Sequence, residues 1–374
     1  MKLGLVVLLA SVSVGWGQQA VPVPPDAPQT QSDTTTIRAN STLVLVPALV
    51  TTKQGEPVFT LTADDFIVTD DGAAQTLRLE EDTDHQPIAL VVVIEAGGAG
   101  ETHLEDYARL GPMIDALVGN VEHTVAVVGF DSEAALVQPF TSDMSVVDTA
   151  IRGIGPGDGK AAILDGLSFS VDLLRKQPPR YRRAIVTLTE TLDHGSHIKI
   201  ADALKAVSDT NTAIYSFAFS STKAEEKQEA GGFSSTEPGP EHGCMGRDPD
   251  RDTTKDKNRA VQAYDCASEL APPLRLAKMF AILAANQLRK NVPETVAHLT
   301  GGEYFSFNNE KSLERGMQTL SNHVPNRYVL SFHPVNPHPG VHAVTLQLKD
   351  RPNLKVAART SYWAEGPAAE AIVP

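Results

Sequence analysis

The segment Ile88-Ala89-Leu90-Val91-Val92-Val93-Ile94 contains no polar residue, and most of its side chains are β-branched. A strand with one wet face alternates apolar and polar residues. This one is apolar on both faces and needs a covering layer on each side, as in the interior of a mostly parallel sheet sandwiched by helices.

The surrounding sequence supplies those layers. Further strands are expected at Thr124–Phe130 and Ala135–Phe140, paired around Asp131-Ser132-Glu133, and at Ala184–Thr189, Ala213–Phe219 and Glu303–Phe307. Helical spacing marks Leu104–Val118, Met144–Ile151, Ala162–Leu174, Ile198–Ser208, Leu274–Leu288, Glu294–Leu299 and Lys311–Asn322. Strands alternating with helices define a doubly wound, mostly parallel α/β domain over residues 87–324. Within it, residues 220–270 lose all periodicity and read as an irregular insertion.

The flanks are different. Before Pro87, strands are expected at Leu43–Thr51, Phe66–Thr69 and Gln75–Glu81, with a capped turn at Leu61–Phe66 and a fold-back at Asp70-Asp71-Gly72. After Pro325 they recur at Tyr328–Phe332, His342–Lys349 and Lys355–Trp363. Three strands are too few to bury a core alone. The two halves, 38–86 and 325–364, are therefore expected to pair into one β-sandwich with the α/β domain inserted between them, two separate small β-domains being the alternative.

Lys2 followed by the apolar run Leu3–Val14 and the small residues Gly15 and Gly17 reads as a secretory signal peptide, residues 1–17. At about 12 residues the run is too short to span a bilayer stably. No later segment is long and apolar enough, so the chain is expected to be exported, periplasmic or secreted, without a stable membrane span. Residues 18–37 are rich in Pro, Gln, Thr and Ser and form a flexible linker; residues 365–374 form a tail. A formal net charge of -14, dispersed along the chain, argues against nucleic acid and anionic membranes as partners.

Cys244 and Cys266 lie in the irregular insertion, and in an oxidising compartment they are expected to form a disulfide. A zinc site with His242 would need more ligands than this segment offers. Asp248-Pro249-Asp250-Arg251-Asp252 has the acidic alternation of a calcium loop, but Thr253 and Arg259 stand where such a loop needs Gly and Glu. Asp193-His194-Gly195-Ser196-His197 is polar but lacks the Gly-x-Ser-x-Gly and His-Glu-x-x-His patterns of hydrolases. The glycines of Gly153–Gly157 follow a helix rather than a buried strand, so they make a turn instead of a phosphate loop.

Several stretches together resemble the bacterial VWFA-related domain proteins found chiefly in acidobacterial genomes. The opening stretches are Leu43-Val44-Leu45-Val46-Pro47, Leu61–Val68, Asp71-Gly72 and Pro87–Ile94; the closing ones are Arg327–Phe332 and Leu354–Arg359. The resemblance spans about Ile37 to Trp363. It implies an exported protein with a von Willebrand factor A-like domain, and such domains hold a divalent cation through an Asp-x-Ser-x-Ser loop, a Thr and a further Asp. Here those positions read Glu95, Gly97 and Ala99, then Ala161 beside Lys160, then Glu190. A hard cation needs carboxylate, hydroxyl and water oxygens. Three of these five positions offer none, so no metal and no cofactor is expected.

The strand-end face carrying Glu95, Gly97, Ala99, Lys160, Ala161 and Glu190 remains the candidate binding surface, because α/β sheets place ligands there. No local set of acid, base and nucleophile supports catalysis. A non-enzymatic protein-binding or adhesion module is the expected class, with a structural cell-envelope component as the alternative and a hydrolase third. Its partner would be another protein or an envelope component; the oligomeric state is left open.

Overall fold

The computed structural model describes residues 43–80, 86–209, 211–220, 284–285 and 287–364. The expected signal peptide, linker and tail lie outside these residues, as do Cys244, Cys266 and nearly all of the insertion and of the expected helix Leu274–Leu288.

The run that opens the α/β domain is strand β5 (Ile88–Glu95), and all eight of its residues are buried. It pairs in parallel with β6 (His123–Phe130) and β8 (Arg182–Glu190). Outward from β8 lie β9 (Thr212–Phe219) and the short β10 (Tyr304–Ser306), also parallel. On the far side β7 (Ala134–Thr141) closes the sheet antiparallel to β6, giving the order β10-β9-β8-β5-β6-β7.

Each face of β5 has its own core. Leu90, Val92 and Ile94 pack with Leu110, Ile114 and Leu117 of helix α1 (Leu110–Val118), Val147 of α2 (Met144–Arg152), and Leu313 and Met317 of α6 (Glu310–His323). Ala89, Val91 and Val93 face Leu167, Val171 and Leu174 of α3 (Ile163–Arg175), Leu204 of α4 (Ile200–Asp209) and Val296 of α5 (Val292–Thr300). The expected helix Leu104–Val118 is divided: Gly100–Tyr107 is a 3-10 helix and α1 begins only at Leu110. Pro112 is the cause. It has no N–H to donate and its ring clashes with a preceding carbonyl, so it is tolerated in the first turn and not in a helix interior.

The flanking strands form two four-stranded antiparallel sheets. In the first, β1 (Val44–Thr52) lies between β11 (Tyr328–Phe332) and β13 (Leu354–Ala358), and β4 (Arg78–Leu79) pairs with the far edge of β11. In the second, β12 (Gly340–Leu348) lies between β2 (Phe66–Asp70) and β14 (Ser361–Ala364), and β3 (Ala73–Gln75) follows β2. Strands from before and after the α/β domain thus share both sheets, alternating in the first and meeting at the β12–β2 pair in the second. Their inner faces share one core, with Val44, Val46, Leu330 and Phe332 meeting Phe66, Val68, Val344 and Tyr362.

Two expected strands are each broken in two. Gln75–Glu81 becomes the end of β3 in one sheet and β4 in the other. Lys355–Trp363 becomes β13 and β14, likewise on opposite sheets. Periodicity describes apolar spacing but not a change of sheet, and chains that turn a sandwich corner do so within an otherwise continuous run.

Arg359 occupies the second corner with 2% exposure. Its guanidinium donates to the Ser361 and Leu45 carbonyls of the sandwich at 2.8 and 3.0 Å, and to the Ser208 carbonyl and Asn211 Oδ1 of the α/β domain, each at 3.0 Å. Burial pushes its pKa down to about 10. Arg359→Met should therefore leave several buried acceptors unpaired and lower the unfolding free energy by about 3 kcal/mol or more. Urea unfolding monitored by fluorescence checks this; an unchanged midpoint would show that the corner does not depend on the guanidinium.

Candidate functional site

At the C-terminal end of β5, Glu95 is fully buried. Its Oε1 accepts from the Gly100 N–H at 2.9 Å, and its Oε2 accepts from the Thr189 hydroxyl and the Glu190 N–H, both at 2.7 Å. The carboxylate of Glu190, 3% exposed, converges on the same place: a Cβ on Gly98 would lie 3.4 Å from Glu190 Oε1 and 3.6 Å from Glu95 Oε1. His194 Nε2 lies 3.4 Å from Glu190 Oε2. Burial, with the neighbouring charge of Glu190 adding to it, pushes Glu95 up to about 7 against the pull of its three donors.

Backbone hydrogen bonds join the strand-end loops. Gly98 N–H donates to the Asp158 carbonyl and Gly157 N–H to the Ala96 carbonyl, each at 2.8 Å, while Ala162 N–H donates to the Asp131 carbonyl at 2.7 Å. Ala161 and His194 exchange a pair of backbone bonds at 3.1 and 2.8 Å. Asp131 braces the junction, with Oδ1 accepting from the Glu133 N–H and Oδ2 from the Asp158 N–H. Lys160 is exposed, and its stem lies against Gly195. Ala99 is half-buried against the α1 side of the core.

The residues expected from the sequence are thus brought together: Glu95, Gly97, Ala161 and Glu190 at the centre, with Lys160 and Ala99 at the margin. They do not fit the oxygen shell of an A-domain cation. A Cβ on Gly97 would stand 2.3 Å from the Lys160 carbonyl oxygen and 2.6 Å from that of Asp158, so the loop has closed into the space of the missing side chain. Ala161, fully buried, contributes only backbone.

Thr189 and Asp131 were not singled out from the sequence. Thr189 immediately precedes Glu190, and Asp131 opens a polar turn directly after a buried strand, so both carried a positional signal. The polar cluster at 193–197 is occupied in capping. Ser196 Oγ donates to Asp193 Oδ1 at 2.5 Å and accepts from the Leu164 N–H at 3.1 Å, while Asp165 accepts from the N–H groups of His197 and Ile198. These contacts fasten the N-terminus of α3 to the loop after β8.

Residues 100–195 match the von Willebrand factor type A domain family. The match begins five residues past Glu95, beyond the first metal loop's carboxylate. The match covers 96 of the 374 residues and, with the sheet order and two-sided core, supports a von Willebrand factor A-like fold for the α/β domain. No curated protein sequence matches the chain. Similar solved structures include BatB from Bacteroides thetaiotaomicron, 14% identical over 63% of this chain and 98% of that one, with a TM-score of 0.35. A point mutant of the PilB minor pilin from Streptococcus sanguinis is 14% identical over 67% of this chain and 64% of that one, with a TM-score of 0.37. Proximal thread matrix protein 1 from the mussel byssus, with a zinc-occupied MIDAS motif, is 12% identical over 68% and 49%, with a TM-score of 0.40.

Two outcomes follow from this geometry. Because Glu95 holds its proton more tightly folded than unfolded, the stability it contributes is complete below its ordinary pKa of 4.5 and is lost as pH rises through about 7. Unfolding free energy should fall by on the order of 3 kcal/mol between pH 4.5 and 8 from this group. The fall should be markedly smaller in Glu95→Gln, and parallel curves for the two proteins would contradict it. Gly97→Ser, although it returns a hydroxyl to the first loop, should destabilise by about 1–3 kcal/mol through overpacking and gain no Mg²⁺ binding by calorimetry.

Proposed function

We propose that this chain is an exported, non-enzymatic protein-binding module of adhesion type, whose A-like domain engages another protein or an envelope component without a metal ion. The observation that carries this reading is the way the strand-end face is held. Loops that surround a cation in A domains are here fastened to one another by backbone hydrogen bonds and by the buried carboxyl of Glu95. Their outward side is a preformed polar rim with Glu133, Asp158, Lys160 and His197 exposed. A rim ordered in advance costs little further entropy when a partner docks, and mixed charge at its edge favours specificity over general stickiness.

No helix among the described residues is long and apolar enough to cross a membrane. The reading of export rests on the apolar N-terminal run.

The test is capture from envelope extract by the immobilised mature chain, in the presence of EDTA, beside a Glu133→Lys/Lys160→Glu variant. A partner should be retained in EDTA. The double charge reversal should weaken it roughly tenfold or more, since like charges brought together cost several kcal/mol. Capture that needs Mg²⁺ would overturn metal independence. Capture indifferent to the reversal would move the contact off this face, and sedimentation with wall material regardless of it would favour a structural envelope component.

A further inference from the structure

A second cluster of ligand-type side chains lies in the sandwich, far in sequence from the A-domain loops. Asp70 ends β2 and Asp71 begins the tight turn to β3, where Asp71 and Gly72 both have positive φ, 47° and 81°. Such a two-residue hairpin turn favours Asp and Gly at these positions. From the other half of the sandwich come His338, in the loop before β12, and His342, on β12 itself. Asp70, Asp71 and His342 are buried, and His338 is half-buried.

Each of the four side chains has one polar atom tied to the protein, and the second atoms of Asp71, His338 and His342 lie close to one another, with Asp70 at the edge of the group against His342. Asp70 Oδ2 accepts from the Tyr362 hydroxyl at 2.9 Å, and Asp71 Oδ1 accepts from the Ala343 N–H at 2.9 Å. His342 Nε2 lies 2.8 Å from the His338 carbonyl, and His338 Nδ1 lies 3.3 Å from the Pro339 carbonyl. The atoms left over meet: Asp71 Oδ2 is 2.9 Å from His338 Nε2 and 3.0 Å from His342 Nδ1, and Asp70 Oδ1 is 3.0 Å from His342 Nδ1. Asp71, His338 and His342 each offer a ligand atom within 4.8 Å of the others.

We propose that Asp71, His338 and His342 form a binding site for a divalent transition metal of the zinc type, the fourth position being open to water. Metal-binding histidines usually donate their second ring N–H to a carbonyl or carboxylate, which fixes the tautomer and turns the other lone pair to the ion. Both histidines here have a backbone carbonyl in that position. Bonds of about 2.0–2.1 Å in a tetrahedron put neighbouring ligand atoms about 3.3 Å apart, so the two edges to Asp71 need to open by a few tenths of an ångström, and the imidazoles, stacked at 3.9 Å and 16°, must turn out of parallel for both lone pairs to meet one ion. Two imidazoles and one carboxylate suit Zn²⁺ and its neighbours better than Mg²⁺ or Ca²⁺, which prefer all-oxygen shells. The exposed residues around His338 leave an approach from solvent.

This site is independent of the strand-end face, so the two readings can fail separately. Co²⁺ added to the full mature chain reports on both. The expected result is one equivalent bound with visible d–d bands of a low-coordinate nitrogen and oxygen site, no near-ultraviolet thiolate band, and displacement by Zn²⁺. Zn²⁺ should also raise the melting temperature. His338→Gln, the least buried ligand, should fold with an unchanged metal-free melt, lose the bands and the Zn²⁺-induced shift, and bind Zn²⁺ more than about 100-fold more weakly. Glu95→Gln should keep all of them. Absence of the visible bands at saturating Co²⁺, their survival in His338→Gln, or a thiolate band marking Cys244 and Cys266 as the ligands would overturn the proposal.

Discussion

The requirement of β5 for cover on both faces organises the whole molecule. Once Ile88–Glu95 is buried on each side, the helices must divide between two layers, and they do, α1, α2 and α6 on one face and α3, α4 and α5 on the other. The sheet is then fully covered and has no face left for the flanking strands. Those strands must find their own core, which they obtain by pairing N- and C-terminal segments within each of two sheets. Burial of the inner faces is worth about 1.5–3 kcal/mol for each large aliphatic or aromatic side chain, so neither half is expected to persist without the other.

Apolar periodicity made this plan legible. The strands of the A-like domain, its inserted position and the pairing of the two flanks all follow from where runs are continuous and where they alternate. Three features escaped for identifiable reasons. The division of Leu104–Val118 depended on one ring, Pro112, inside an apolar pattern that remained helical in spacing. The sheet changes at 75–78 and 358–361 left hydrophobic spacing nearly intact, since each half-strand still has one buried face. The roles of Thr189 and Asp131 depend on tertiary meetings with Glu95 and Asp158, which no local pattern records. The positions Glu95, Gly97, Ala161 and Glu190 came from the resemblance to A-type domains, whose metal loops follow the strand ends that periodicity located.

The strand-end face illustrates how an A-type geometry can stand with few of its usual ligands. A cation in such a site holds several loops by attracting their oxygens to one point. Here the polarity is reversed: the acceptor, Glu95, sits at the centre and the loops send it donors, two backbone N–H groups and the Thr189 hydroxyl. A carboxyl in so dry a place resists ionisation, and the nearby Glu190 adds to that resistance. The loops are then drawn closer than a serine would permit, which is why Gly97 faces the carbonyls of Lys160 and Asp158. Substituting serine alone would not reopen the space, because the contact is with backbone rather than with a side chain that can swing away.

The junction between the two folding units follows the same electrostatic logic with the sign changed. The chain passes between domains near Pro87 and Pro325, and at the C-terminal side two arginines are buried beside the crossing. Arg327 pairs with Glu303 at 2.6 Å and donates to the Gly301 carbonyl, while His323 contacts the other oxygen of Glu303 at 2.6 Å. Burial alone would raise Glu303, but these partners hold it below its ordinary value. Arg359 has carbonyl and amide oxygens instead, drawn from both domains, and a guanidinium can serve four acceptors at once because its donors fan out in a plane. A lysine could satisfy one direction but not the several that converge there. The orientation of the A-like domain on the sandwich is thus set by directional donors at a dry junction, where leaving any acceptor unpaired is costly, rather than by apolar contact alone.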